Sequence, residues 1–303
     1  MKDLNLHFLK TTWSDIIILQ YGEKLGLIDT GFEGQYVRIA DYIKNLGSDQ
    51  LAFIVITHFH NDHYGSLEKI IKNFKVDKVY MKEYNGLDYT NSDGVVATEE
   101  YRKRELEYFQ ELQLKIKRYS KLINLENVSK IQFEDLTLNV HNNKNLILKA
   151  YNDLRYAGYH IFKYNENINS IAISLEFMNK TILLSGDIID KEDNCPYINK
   201  INFAVAQDIN KQIDIYKVPH HGENKSNSKE TLAIYKPKIN IITNSLNYVR
   251  KETSTISDIY NSYKESKFLF TEYDDVVVSI KSQNGNIEIQ KGNIFRFEDI
   301  ISL

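Results

Sequence analysis

Residues 51–65 read LAFIVITHFHNDHYG, an apolar run followed directly by a histidine-rich segment. The run from Leu51 to Ile56 has the length and composition of a buried strand. The segment after it supplies four potential ligands within six positions, which are His58, His60, Asp62 and His63. Imidazole and carboxylate groups suit zinc and similar cations, and a loop that leaves a strand can direct alternate side chains to one point. We therefore predict a metal site at this strand end, with a solvated polar loop as the alternative.

Two further segments place chemically active side chains at predicted strand ends. Residues 182–187 read ILLSGD, so that Asp187 ends an apolar strand, where a carboxylate can bridge two cations. Residues 216–222 read YKVPHHG and end another strand in the pair His220 and His221. Adjacent histidines point in different directions, so one can bind metal while the other faces a substrate. Since five of the eight histidines lie in these clusters, we interpret the clusters as one site.

The pattern of apolar residues indicates an α/β protein with a central pair of sheets flanked by helices. Helical spacing is predicted for residues 36–46 and 65–73, and for one long helix from Glu99 to Ile123. The predicted strands lie at 4–28 (two or three strands), 51–56, 76–81, 136–140, 170–177, 181–185, 213–218, 239–243, 268–270, 276–280 and 287–289. We predict a single domain over residues 1–303 with a helical insertion at about 82–130. The insertion either packs on the surface or also covers the site, with Tyr84, Tyr89 and Tyr101 along an aromatic wall.

Composition excludes several classes of protein. A hydrophobic fraction of 42% and a net charge of −3 are typical of a globular protein rather than a disordered one. The charge does not indicate nucleic-acid binding, although it does not exclude a basic groove. Cys195 is the only cysteine, which rules out an intrachain disulfide and a thiolate metal cluster. No apolar stretch has the length of a signal segment or a membrane span, so we expect a cytoplasmic protein without a membrane anchor.

These motifs resemble the metallo-β-lactamase superfamily along most of the chain. Residues 58–63 match its HxHxDH signature, Asp187 its bridging aspartate, and the histidine pair its last ligand motif. Within the superfamily the chain looks most similar to the branch that contains the soluble domain of bacterial DNA-uptake channel proteins and the phosphorylcholine esterases. The features that carry this narrower resemblance are Asp15, Leu27–Gly31, Asn169–Ser170, Pro219–Gly222 and Thr271–Glu272.

The resemblance implies an αββα sandwich with two divalent metal ions at one edge and hydrolysis by a metal-bound hydroxide. Zinc is the expected metal, with manganese or iron as alternatives. By analogy, His221 binds metal and His220 faces the substrate, which the spacing alone does not decide. Many relatives carry a further histidine motif that is absent here. His141 and His160 are candidates for that ligand; otherwise His58, His60 and Asp187 would hold the first ion with water.

The first functional hypothesis is hydrolysis of a phosphodiester or phosphoester, with a small-molecule or nucleotide-like substrate. Asp62 and Asp187 would hold the metals and orient the nucleophile, and His220 would either protonate the leaving oxygen or hydrogen-bond a phosphoryl oxygen. Four polar residues could contact the substrate or simply be surface residues, and these are Asn244, Asn247, Tyr248 and Lys225. The alternatives are hydrolysis of a carboxylic ester, lactone or lactam, and a non-catalytic regulatory protein stabilised by metal. The sequence leaves the physiological substrate and the oligomeric state open.

Overall fold

The computed structural model describes residues 2–86, 97–144, 166–191 and 200–303, and two large sheets form its centre. The strands of the first sheet are β1 (Leu4–Phe8), β2 (Ile17–Tyr21), β3 (Lys24–Ile28), β5 (Phe53–Val55), β7 (Lys78–Met81), β8 (Lys121–Asn124), β16 (Val276–Ile280) and β17 (Ile287–Lys291). Their order is β17-β16-β1-β2-β3-β5-β7-β8. The strands β3, β5, β7 and β8 are parallel to one another, and the pairs from β17 to β3 are antiparallel.

The second sheet contains β9 (Lys130–Phe133), β10 (Leu136–His141), β11 (Ala172–Phe177), β12 (Lys180–Ser185), β13 (Ile215–Lys217), β14 (Ile239–Ile242) and β15 (Lys267–Phe270). Its order is β15-β14-β13-β12-β11-β10-β9, and the run from β12 to β15 is parallel. A small third sheet pairs β4 (Gln50–Leu51) with β6 (Lys75–Val76). The strand predicted from Leu51 to Ile56 is thus divided between two sheets, at Ala52, whose N–H donates to the carbonyl of Leu25.

Helices cover the outer face of each large sheet. The helices are α1 (Tyr36–Asn45), α2 (Asn61–Tyr64), α3 (Leu67–Asn73), α4 (Glu99–Tyr119), α5 (Ile201–Ile209), α6 (Lys229–Tyr235), α7 (Leu246–Glu252), α8 (Thr255–Ser262) and α9 (Phe297–Ser302). One apolar core lies between the sheets, a second packs α1, α3 and α4 on the first sheet, and a third packs α5 to α9 on the second. The predicted αββα sandwich is confirmed. None of the described helices has the length and apolar character needed to cross a membrane.

The helix predicted from Glu99 to Ile123 was wrong in its last residues. It begins at the cap Thr98, whose side chain accepts a hydrogen bond from the N–H of Tyr101, and it ends at Tyr119. Ser120 is extended (φ −152°, ψ 168°), and the residues after it pair with β7 as the edge strand β8. Ile123 continues the spacing of three and four residues between apolar positions that is typical of a helix. It is nevertheless part of a strand, because pairing with β7 at the edge of the parallel sheet outweighs the helical propensity.

The topology brings the predicted ligands to one edge of the sandwich. In parallel sheets the carboxyl ends of neighbouring strands lie at the same edge, where ligands are usually bound. In the first sheet β3 leads into Asp29 and β5 into His58. In the second sheet β12 leads into Asp187 and β13 into the turn that carries His221. Two sheets therefore contribute to one cluster of side chains.

Candidate metal centre

Four side chains converge at this edge with the spacing of metal ligands. Nε2 of His63 lies 3.2 Å from Oδ2 of Asp187 and 3.4 Å from Oδ2 of Asp62. Nε2 of His221 lies 3.3 Å and 3.2 Å from the same two oxygens. Ligand bonds of about 2.0–2.1 Å in a tetrahedral zinc site place neighbouring ligand atoms about 3.3–3.4 Å apart. The four measured separations fit four edges of such a tetrahedron, so this donor set fits one divalent cation.

The second nitrogens of these histidines are held from outside the cluster. Nδ1 of His63 lies 2.7 Å from a carboxylate oxygen of Asp29. Nδ1 of His221 lies 2.9 Å from the hydroxyl of Thr243, which donates its own hydrogen to Asp15 at 2.7 Å and can therefore accept one from the ring. Histidines that bind metal through one nitrogen characteristically donate the other N–H to such an acceptor, which fixes the ring orientation. The outer contacts therefore fit metal binding through Nε2.

His58 and His60 approach the same aspartate from another side. Nε2 of His58 lies 3.9 Å from Oδ2 of Asp187 and 2.9 Å from Nδ1 of His60. Asp187 thus lies between this histidine pair and the other three members of the cluster, where its carboxylate can contact both groups. His141 does not complete this second position, because its ring bonds to Asp208 at 2.6 Å and to Ser174 at 2.7 Å. His160, the other candidate, lies outside the described residues.

A glycine lets the edges of the two sheets meet at Asp187. A Cβ at Gly186 would lie 2.4 Å from the hydroxyl of Ser170 and 2.6 Å from that of Thr57, closer than real Cβ contacts. Thr57 belongs to the first sheet's edge, directly before His58. The hydroxyl of Ser170 also accepts a hydrogen bond of 2.8 Å from the N–H of Asp187. The glycine therefore sets the short distance between the ligands that come from different sheets.

His220 and His221 lie in an unusual turn, which separates their rings. His220 (φ 50°) and His221 (φ 51°) both have a left-handed backbone conformation. Residues other than glycine adopt this conformation rarely, and it is often found at functional sites. The N–H of His220 donates to the carbonyl of Gly186 and its carbonyl accepts from the N–H of Glu223. The ring centroids lie 6.2 Å apart. The turn thus brings His221 into the cluster and leaves His220 beside it.

A buried lysine near the cluster was not anticipated by the sequence analysis. Lys217 is fully buried at the end of β13, forms an ion pair with Asp15, and lies 3.7 Å from Oδ1 of Asp187. Burial alone would lower the pKa of Lys217, but Asp15 and Asp187 raise it, so the ammonium stays charged. The lysine thereby offsets part of the negative charge of the carboxylates gathered here. A charged residue inside a predicted apolar strand was the signal that could have revealed it.

The electrostatics of the cluster link metal binding to proton release. Burial opposes the charged form of Asp187, yet His221 and His63 hold the pKa of that carboxyl well below its usual value. Burial likewise opposes protonation of His63, but Asp187 and its neighbours raise the pKa of that ring well above the usual value. The pKa of His221 is raised in the same way, so without a cation His63 and His221 carry protons that a metal ion must displace. Metal affinity should consequently rise with pH.

The predicted substrate contacts are not members of the four-residue cluster. Nε2 of His220 lies 3.1 Å from the side-chain Nδ2 of Asn167. Burial lowers the pKa of His220 to about 4. Asn244 is buried and accepts a hydrogen bond from the N–H of Ser245 at 2.6 Å. Tyr248 donates to Glu223 at 2.6 Å. The remaining candidates, Asn247 and Lys225, are exposed.

Helix α4 packs against the segment that carries the first histidines. The ring of Phe59, between His58 and His60, stacks on Tyr64 with centroids 4.0 Å apart and also contacts Tyr84 at 4.9 Å. Tyr64 donates to Glu105 of α4 at 3.0 Å. A cavity of about 670 Å³ opens between these elements, and its lining includes Asn61, Tyr64, Glu68, Glu105 and Tyr108.

Of the three predicted wall residues, Tyr84 is buried in the apolar core, Tyr101 is half-buried, and Tyr89 lies outside the described residues. A role of this segment in shaping the substrate space stays a prediction.

A second buried lysine holds the turn next to His220. Lys82 follows β7, and its Nζ donates to the backbone carbonyl of Asn169 at 2.7 Å, to the side-chain carbonyl of Asn169 at 3.0 Å and to the carbonyl of Lys144 at 3.2 Å. Burial lowers the pKa of Lys82 to about 7, although Glu166 opposes the shift. The lysine therefore binds fewer protons in the folded chain than in the unfolded chain across the range from about pH 7 to 10.5.

Replacing Lys82 by methionine should remove a pH dependence of stability. Because the unfolded chain binds the extra proton, the free energy of unfolding of the original protein should rise with pH above 7, by up to about 1.4 kcal/mol per pH unit from this group. Lys82→Met should lack that contribution. Urea unfolding between pH 7 and 9, with chelator present in both samples, measures the two slopes. Equal slopes would show that Lys82 does not titrate in this range.

Comparison with known proteins agrees with this architecture. A family model described as the metallo-beta-lactamase superfamily matches residues 14–124. The metallo-beta-lactamase fold protein YhfI from Bacillus subtilis is 11% identical, with a TM-score of 0.54, over 91% of this chain and 99% of that chain. The subclass B3 metallo-beta-lactamase BJP-1 of Bradyrhizobium japonicum is 14% identical, with a TM-score of 0.40, over 69% and 75% of the respective chains.

The metallo-beta-lactamase MIM-1 from Novosphingobium pentaromativorans is also 14% identical, with a TM-score of 0.41, over 73% and 78%. A search of curated proteins finds no match. The matched region contains the HxHxDH segment, and the sandwich observed here is shared with YhfI. Residues 14–124 are thus similar to the metallo-beta-lactamase superfamily, and the chain shares its fold with YhfI.

Proposed function

We propose that this protein is a metal-dependent hydrolase that acts on a phosphodiester or phosphoester. The observation that carries the proposal is the tetrahedral spacing of the four ligand atoms from Asp62, His63, Asp187 and His221. Members of the metallo-beta-lactamase superfamily, whose model matches residues 14–124, are mostly metal-dependent hydrolases. The choice of a phosphorus ester rests on the narrower resemblance to the branch with DNA-uptake channel proteins and phosphorylcholine esterases.

We propose that the site holds two divalent ions, for which zinc is the expected identity. Asp62, His63, Asp187 and His221 would hold one ion, and His58 and His60 would hold a second with Asp187 between them. When bound, such ions make water nucleophilic near neutral pH and neutralise charge that develops on a phosphoryl oxygen. Among the described residues, no third histidine lies at the second position.

The protein's own groups orient the reactants around the ions. Asp187 is fixed by the hydrogen bond from its N–H to Ser170, and its charge is partly balanced by Lys217. The carboxylate of Asp62 is the more exposed of the two, with 18% of its side chain accessible. His220 stands beside the cluster and can contact a substrate oxygen.

Activity on simple substrates should separate the reaction classes. We expect the purified metal-loaded protein to hydrolyse bis-p-nitrophenyl phosphate faster than a chromogenic lactam or lactone. The Asp62→Asn variant, prepared in parallel, should lose the activity, because it keeps the shape of the side chain but not its charge; this excludes a contaminating hydrolase. Faster turnover of the lactam or lactone would replace the proposal with carboxyl hydrolysis. No turnover of any of them, with metal bound, would favour a metal-stabilised regulatory protein.

A further inference from the structure

The contact between Asn167 and His220 determines which ring nitrogen carries hydrogen. The amide nitrogen Nδ2 of Asn167 lies 3.1 Å from Nε2 of His220. An amide nitrogen can only donate, so Nε2 must accept and cannot itself carry a hydrogen. A doubly protonated ring would place two donors against each other. With the amide in this orientation, the hydrogen of the imidazole is on Nδ1.

Nδ1 of His220 is a buried polar atom that needs a partner. Within the described parts of the chain, no group lies within hydrogen-bond distance of it. Buried donors are almost always bonded to protein, water or a ligand, so an unbonded one indicates where another molecule binds. The ring lies beside the metal centre, with its centroid 6.2 Å from that of His221, which is where a substrate would be.

The segment that presents Asn167 is held by several hydrogen bonds. Residues 166–169 form a short 3-10 turn whose members are all buried. Lys82 donates to the backbone and side chain of Asn169, and Asn169 donates to Glu166 at 3.0 Å. Asn142 donates to the carbonyls of Ile168 and Ser170 at 3.0 Å and 2.7 Å. A turn fixed in this way gives the Asn167 amide a defined position.

We propose that Asn167 is a positioning residue that fixes His220 in the tautomer with hydrogen on Nδ1, so that His220 acts as a hydrogen-bond donor to a substrate oxygen. This inference rests on the proposed hydrolase function and narrows it. Of the two roles open to His220, it selects the hydrogen bond to a phosphoryl oxygen over protonation of the leaving group. A ring without a second hydrogen would become an anion if it gave up its proton, whereas donating a hydrogen bond needs no transfer.

The tautomer can be observed directly by NMR. In the full chain, loaded with zinc and labelled with ¹⁵N-histidine, long-range ¹H–¹⁵N correlations at pH 7 distinguish protonated from unprotonated ring nitrogens. The signals of His220 are those that disappear in His220→Ala. We expect Nδ1 protonated and Nε2 unprotonated. A ring protonated on Nε2 would overturn the proposal, including the case in which Nδ1 instead binds metal.

Changing the amide to a carboxylate should reverse the tautomer. In Asn167→Asp the facing group accepts, so the hydrogen should move to Nε2, and hydrolysis should fall by about 10²- to 10³-fold, as when a transition-state donor is removed. Asn261→Asp adds the same charge at an exposed position and should change neither. A reversed tautomer with unchanged turnover would overturn the donor role. Because the NMR result needs no turnover, failure of this inference is distinguishable from failure of the hydrolase proposal.

Discussion

Replacing Asp187 by alanine should remove most of the bound metal together with the activity. Its Oδ2 lies 3.2 Å and 3.3 Å from the two histidine nitrogens of the tetrahedral cluster and 3.9 Å from Nε2 of His58, so its loss affects both ion positions. Two cations at close range would also lose the negative charge between them. We expect at least a 100-fold loss of metal affinity, more than the loss of an outer hydrogen bond to a ligand causes.

Metal content measured by mass spectrometry, after dialysis against a fixed free-zinc concentration, tests this expectation. His141→Ala provides the control, because it removes a histidine that bonds to Asp208 and Ser174 outside the cluster. That variant should keep its full metal content. Unchanged stoichiometry in Asp187→Ala would show that the aspartate does not bridge, and metal loss in His141→Ala would make His141 a ligand.

Replacing His221 by alanine should affect metal binding, whereas replacing His220 by alanine should affect turnover. His221→Ala should lose metal, because its Nε2 belongs to the tetrahedral cluster. His220→Ala should keep metal but lose turnover by about 10²- to 10³-fold, since it removes a donor that acts on the substrate. The loss should be similar for p-nitrophenolate and for a poor leaving group, because a hydrogen bond to a phosphoryl oxygen does not depend on the leaving oxygen.

Metal content and kcat on two phosphodiesters with different leaving groups decide between these roles. A loss confined to the poor leaving group would identify His220 as the proton donor, the other role that the sequence left open. Loss of metal in His220→Ala but not in His221→Ala would reverse the assignment of the pair. Each variant should be checked by far-UV circular dichroism, because both residues lie in a left-handed turn that alanine adopts less readily.

Local patterns explain why so much of the cluster was predictable. The ligands from His58 to His63 are close in sequence and follow an apolar strand, and Asp187 and His221 follow two others. Lys217 was missed because its role depends on Asp15, which lies far away in sequence and meets it only when the two sheets pack. The contact of Asn167 with His220 could not be read from the sequence for the same reason.

The layers of the fold were predicted better than the ends of its helices. Strands with continuous apolar residues are recognisable from the sequence because burial on both faces demands that composition. The helices α5 to α9 are six to nine residues long, too short for their periodicity to be evident. After Ser120 the helical spacing of apolar residues continues, but these residues form a strand at the edge of the first sheet. Whether they are helix or strand is decided by tertiary contacts, which the sequence pattern does not show.

Strand β1 has implications for how the chain folds. Leu4 lies opposite Tyr21 on one side and opposite Ile280 on the other, so β1 joins the two ends of the sequence. Contacts between residues so distant require a long loop to close, which slows folding. During synthesis the first sheet cannot be completed until residues 276–291, which form β16 and β17, have left the ribosome. The sheet that leads into His58 is therefore completed late in the folding of the chain, and a metal ion that needs both sheets in place should enter a nearly finished fold.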